Sequence, residues 1–267
     1  MRYTLAHLTL MRPPQDMIEA AAGAGFSSVG IRICPRRPGD SYFVDLMGDL
    51  REAKRLRDLA ARLGVSISNV SAYQIYPDVT IDQMLPAVEA TAALGCQCIV
   101  VNNFDPDLDR FKGILDAYAR AAARHGIRLA LEFMPYSAIP SIQSARDVIG
   151  AVGASNVAVL VDALHLARSD GTAEEVRQMA PGSIAFAQVC DAPARPPSTD
   201  REALMLEARN SRLPLGQGEL NLAAFMAALP AGTEVEYEVA GLPGATPLDV
   251  ARAAKRNLAD FLQTLDS

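Results

Sequence analysis

Arg128-Leu-Ala-Leu-Glu132-Phe-Met-Pro135 and Val157-Ala-Val-Leu-Val-Asp162-Ala-Leu-His165 decide the fold class of this chain. Each is a nearly continuous apolar run that ends on a carboxylate. A parallel strand covered on both faces has this composition, because neither side of its pleat meets water. Working outward, β-rich runs recur at 3–9, 28–33, 65–70, 98–102, 128–132, 157–162, 184–189 and 234–239. Segments of helical periodicity lie between them at 50–63, 81–94, 111–125 and 249–265. The first three stop at Gly64, Gly95 and Gly126, where glycine suits a helix C-terminus. Eight strand–helix units predict one α/β domain over residues 1–267, a single (β/α)8 TIM barrel. No G-x-G-x-x-G follows a strand, and the count of eight favours closure over an open sheet.

Size and charge agree with that expectation. The chain has 267 residues, half of them hydrophobic, and such barrels run to about 250 residues. Lys and Arg number 25 against 31 Asp and Glu, a net charge of −6. That balance opposes a surface built to grip nucleic acid, but leaves small anionic substrates open. The four cysteines (34, 96, 98 and 190) have neither zinc-knuckle nor disulfide-scaffold spacing, so reduced thiols in a cytoplasmic protein are expected. No apolar run is long enough for a membrane span, and the N-terminus lacks a signal-peptide pattern.

Active sites of such barrels form at the C-terminal ends of the strands. Glu132, Asp162, Gln188 and Glu238 stand there. A buried carboxylate needs a partner, and several converging on one axis point to a cation. Oxygen donors suit Mg²⁺ or Mn²⁺ better than Zn²⁺ or Co²⁺. Glu234, Glu236 and Glu238 share one strand face by period-two logic. Glu238 is nearest the rim and is taken as the ligand, with Glu236 the alternative. His165 offers a substrate contact or a general acid/base. His7 is read on strand 1, lining the pocket floor. Arg212 is suited to a substrate oxygen or an anion, and Gly216 and Gly218 beyond it permit close backbone approach. Arg32, Arg36 and Arg37 offer an anion clamp, with solvated loop charge the expected role of the last two. The long connections 34–48 and 191–218 are expected to cover the substrate.

In their order, Leu131-Glu132-Phe-Met-Pro, Val161-Asp162-Ala-Leu-His165, Gln188-Val-Cys-Asp191, Arg212-Leu-Pro-Leu-Gly-Gln-Gly-Glu219 and Glu236-Tyr-Glu238-Val resemble the xylose isomerase-like TIM-barrel superfamily over nearly the whole chain. That group includes sugar phosphate isomerases/epimerases and endonuclease IV. The resemblance implies Glu132, Asp162, Gln188 and Glu238 as ligands of a divalent metal. The third ligand is usually His in the ketose epimerases. Gln at this place is similar to 3-dehydroshikimate dehydratases, although those carry an Arg-His pair where this chain has Tyr136-Ser-Ala-Ile-Pro140. Endonuclease IV needs a His-rich trinuclear zinc site, which three histidines in all cannot build.

The implied activity is isomerisation or epimerisation of a sugar or related hydroxy-ketone through an enediolate. Glu132 and Glu238 would move the proton, His165 and Arg212 would hold substrate oxygens, and His7 and Glu219 would complete the substrate site. The alternatives are a dehydratase of a keto-sugar or cyclic keto acid, and a metal-binding barrel without catalysis. Apolar barrel helices such as 251–265 leave a homodimer open.

Overall fold

The computed structural model describes residues 1–241 and 244–265. Eight parallel strands form a closed barrel in chain order, with β8 pairing back onto β1. They are β1 (Tyr3–Leu5), β2 (Ser28–Arg32), β3 (Ser66–Ser71), β4 (Cys98–Asn102), β5 (Arg128–Glu132), β6 (Val157–Asp162), β7 (Ile184–Val189) and β8 (Val235–Tyr237). Around them run α1 (His7–Leu10), α2 (Pro14–Gly23), α3 (Leu50–Arg62), α4 (Ile81–Ala93), α5 (Leu108–Ala123) and α6 (Ile142–Val152). The circuit is completed by α7 (Ala163–Arg168), α8 (Ala173–Arg177), α9 (Arg201–Asn210), α10 (Leu222–Ala228) and α11 (Pro247–Leu265). No described helix is long and apolar enough to cross a membrane, and all four cysteines are free thiols.

The strands with the strongest apolar runs, β4 to β7, have the bounds read from sequence, and every residue of β6 is buried. Two ends differ. Residues 7–9 do not continue β1. Leu5 is paired with Tyr237, the last residue of β8, so the chain beyond it has no strand to join and turns into α1. His7 therefore opens a helix at the barrel mouth instead of lying on a strand. The connection 191–218 is also not all loop, since it contains α9. The Pro-rich stretch before it hid a short amphipathic segment.

Inside the barrel the two halves differ. Val100, Ala130, Leu160 and Phe186 from β4 to β7 make an apolar cluster. The opposite half is polar. Glu234 accepts hydrogen bonds from Thr4 and Ser68 near the base. One layer higher, Glu236 accepts from Asn69 (2.8 Å) and Gln188 (2.7 Å). A side chain on β2 would collide there: a Cβ on Gly30 would overlap the Glu236 carboxylate and approach Asn69 Oδ1 to 2.8 Å. Gly30 thus leaves the space in which this buried acid sits, beneath the strand ends.

Candidate active site

At the C-terminal mouth a small cavity, open to solvent, is lined by His7, Arg32, Arg36, Asn102, Glu132, His165, Gln188, Arg209, Arg212 and Glu238, among others. Each side chain is set by the local chain. Asp162 closes β6 and is also the N-cap of α7. Its Oδ1 accepts from the backbone N–H of Leu164 (2.7 Å) and His165 (3.1 Å), satisfying two donors of the helix N-terminus. This fixes Oδ2 toward Arg212 and puts His165 on the first helical turn. Asp191 after β7 has a bracing role. It exchanges backbone hydrogen bonds with Leu213 and accepts from the N–H of Gly216 (3.0 Å) and Leu220 (3.1 Å). A Cβ on Gly218 would strike Asp191 and the Ala192 backbone. The close approach anticipated for this glycine is therefore to the protein's own chain, and it delivers Arg212 into the site.

Arg212 is buried and spans two acids. Nη1 lies 2.7 Å from Asp162 Oδ2 and Nη2 lies 3.0 Å from Glu238 Oε2. Nε donates to the Ala208 carbonyl (2.7 Å). Burial alone would raise the pKa of Asp162, but the Arg212 guanidinium outweighs it and holds the carboxyl below its usual range. Glu132, which Asn102 donates to at 2.5 Å, has no such cation. Burial, with Glu238 and Asp162 nearby, pushes it up to about 8. Burial also lifts Glu238 to about 7 against the pull of Arg212, and Glu236 to about 8. Burial pulls His165 down to about 4 and holds His7 well below the ordinary histidine value, so both imidazoles are neutral near pH 7.

One oxygen or nitrogen each from Glu132, Asp162 and His165 lies within 4.8 Å of the others, the Glu132–His165 approach being 3.6 Å. Gln188 is held by its amide nitrogen, which donates to Glu236 (2.7 Å) and Glu238 (3.1 Å). Two carboxylate acceptors around one amide group orient it. Gln188 Oε1 is left buried without a hydrogen-bond partner. Buried acceptors without donors are rare. Here the orphaned carbonyl oxygen belongs to a residue that lines the same cavity as Glu132, Glu238 and His165. Such hard-oxygen and imidazole donors fit a divalent cation.

Of the residues singled out from sequence, Glu132, Gln188, Glu238, His165, Arg212 and His7 line this cavity, with Asp162 behind Arg212. Glu219 does not. It is exposed and accepts from the Ala194 N–H at 3.3 Å. Asn102 is a site residue that the sequence reading does not single out, and Glu236, its alternative to Glu238, lies one layer below the cavity under Gln188. Asn102 closes the apolar run of β4 as Gln188 closes that of β7, so the same strand-end rule extended from β5–β8 to β4 finds it.

The chain belongs to the xylose isomerase-like TIM barrel family, whose model matches residues 18–258. A 3-dehydroshikimate dehydratase of Pseudomonas putida is 22% identical over 285 aligned residues, which cover 99% of this chain and 41% of that protein. The chain thus spans less than half the length of this curated relative. Among solved structures, the IOLI protein with a binding zinc atom is 17% identical, with a TM-score of 0.80 and 99% of each chain covered. D-psicose 3-epimerase with D-tagatose, from Clostridium cellulolyticum, is 16% identical, with a TM-score of 0.74 and 99% of each chain covered. These structural likenesses concern the fold.

Proposed function

We propose that the protein is a divalent-metal-dependent enzyme that moves a proton at the carbon beside the carbonyl of a small hydroxy-ketone. The observation that carries this is the gathering of Glu132, Asp162 and His165 donor atoms within 4.8 Å; the orphaned oxygen of Gln188, a residue of the same cavity lining, supports it. Glu132, Asp162, Gln188 and Glu238 would hold the ion, Mn²⁺ or Mg²⁺ by donor chemistry, with His165 able to substitute for one of them. When bound, the ion supplies Lewis-acid polarisation of the substrate carbonyl.

The protein's own groups do the rest. Glu132 and Glu238 are the carboxylates among the described residues lining the cavity; burial raises both in the metal-free protein, a bound ion would pull them back down, and together they would supply the two proton-transfer groups. His165, neutral, donates a hydrogen bond to a substrate oxygen. Arg212 sets the position and charge of Asp162 and Glu238, and stabilises negative charge developing on the substrate. Return of the proton to the same carbon from the other face epimerises; return to the neighbouring carbon isomerises. The second reading is loss of a β-hydroxyl from the same enolate, which the 3-dehydroshikimate dehydratase relative favours.

The test is metal content and solvent exchange. Purified protein loaded with Mn²⁺ should hold one ion per chain, and Glu132→Ala should lose it. Loaded wild type should wash deuterium from D₂O into a ketose or keto acid substrate. Release of an absorbing enone would make it a lyase. No metal uptake by wild type in excess Mn²⁺ would refute the proposal and favour a barrel without this chemistry.

A further inference from the structure

The cavity wall also carries cationic groups that form no ion pair among the described residues. Arg32 closes β2 and is 4% exposed. Its Nη1 donates to the Ala72 carbonyl at 2.8 Å, while its buried Nε has no hydrogen-bond partner. Arg36, from the loop after β2, and Arg209, near the end of α9, line the same cavity. None of the three has an acidic partner among the described residues. They are also close enough to oppose one another. After burial, the largest influence depressing Arg32 is Arg36, and that depressing Arg36 is Arg209. By contrast Arg37, next along the chain, is paired with Asp78 at 2.9 Å and stacks on Tyr76. Arg36 is therefore not the solvated loop charge its sequence position suggested.

The charge balance makes the wall informative. Four guanidinium groups line the cavity against two carboxylates, with Asp162 behind Arg212 a third. With all three carboxylates ionised, as ligands of a divalent ion would be, the cavity would have one positive charge in excess, and the ion would make it three. A neutral polyol cannot compensate that, and a buried guanidinium nitrogen with nothing to donate to is a costly arrangement. An oxyanion meets both needs, because carboxylate and phosphate match the guanidinium fork.

We propose that Arg32, Arg36 and Arg209 form an anion subsite, and that the substrate is an acidic hydroxy-ketone. Its carboxylate or phosphate sits on this wall while its carbonyl end faces Glu132, Gln188 and Glu238. The proposal rests on the cavity being the substrate site, as argued above, but needs no metal for its test.

The experiment is calorimetric titration of full-length protein, stripped of metal and freed of chelator by dialysis. Two matched pairs serve as probes: gluconate against glucitol, and fructose 6-phosphate against fructose. The anionic member of at least one pair should bind about tenfold tighter or more than its neutral partner. The pair showing the preference identifies carboxylate or phosphate. The double variant Arg36→Gln/Arg209→Gln, with its circular dichroism unchanged, should abolish the preference, whereas Glu132→Ala should retain it. Equal binding of charged and neutral probes overturns the subsite, as does a preference that survives in the double variant, which would mean an adventitious ion only. Metal uptake with deuterium exchange but no charge preference would remove this inference and leave the proposed chemistry. A charge preference without metal uptake would do the reverse.

Discussion

Replacing Arg212 with Met tests how the site balances its charges. The guanidinium contacts Asp162 at 2.7 Å and Glu238 at 3.0 Å, and the three side chains are 2%, 0% and 6% exposed. Removing one member of a buried ionic group leaves the others desolvated and unpaired, which costs about 3–5 kcal/mol. In a protein of this size each kcal/mol shifts the melting temperature by about 2–4 °C. The metal-free variant should therefore melt about 6–20 °C below wild type. Mn²⁺ at a fixed concentration of about 100 times the wild-type dissociation constant would add about 2.7 kcal/mol to wild type. If the ion and the guanidinium answer the same carboxylates, Mn²⁺ should bind the variant more tightly and raise its melting temperature further than that of wild type. The assay is thermal unfolding by circular dichroism, with and without Mn²⁺, on chelator-treated samples. A metal-free variant melting within about 2 °C of wild type would refute the reasoning. So would an equal response of both proteins to Mn²⁺.

Other consequences follow from the same contacts. Burial pushes Glu236 up to about 8 from 4.5. The metal-free folded protein therefore keeps a proton that the unfolded chain releases, and stability should fall as pH rises through that window; urea midpoints at pH 5 and pH 8 should show the decline, and Glu236→Gln should shrink it. Gly30→Ala drives a methyl group into Glu236 and should destabilise the fold by about 1–3 kcal/mol; it should also weaken Mn²⁺ binding by releasing Gln188, which a titration would measure. Glu207→Gln leaves Arg168 without its buried partner at 2.7 Å, although the guanidinium still reaches the Pro193 carbonyl. It should lose about 3–5 kcal/mol, and limited proteolysis should cut faster between residues 193 and 200.

Much of the barrel was legible because its determinants are local. The strands β4 to β7 are apolar on both faces, so their bounds could be read from composition alone. The ends of β1 and β8 could not. Where a strand stops depends on how far its neighbour runs, and Leu5 stops where Tyr237 does. His7 was accordingly read on a strand when it begins a helix. Glu132, Asp162, Gln188 and Glu238 stood out because carboxylates and amides at apolar strand ends are unusual at any single position. Glu219 was included on its motif, yet the Asp191 turn aims that segment so that Arg212 enters the site and Glu219 faces solvent.

What the amino-acid order by itself determined is the repeating alternation of strand and helix, hence the closed barrel, and the set of acids at its mouth. Those features depend on side-chain periods of 2 and 3.6 residues and on turn chemistry, which neighbours along the chain supply. Only the tertiary structure decided how the polar groups pair. Arg212 reaches Asp162 and Glu238, Gln188 is turned by Glu236, and Asp191 takes the backbone of Leu213, Gly216 and Leu220. Each of these contacts joins residues far apart in sequence, and barrel closure alone sets which charges are answered within the protein and which are left for a ligand.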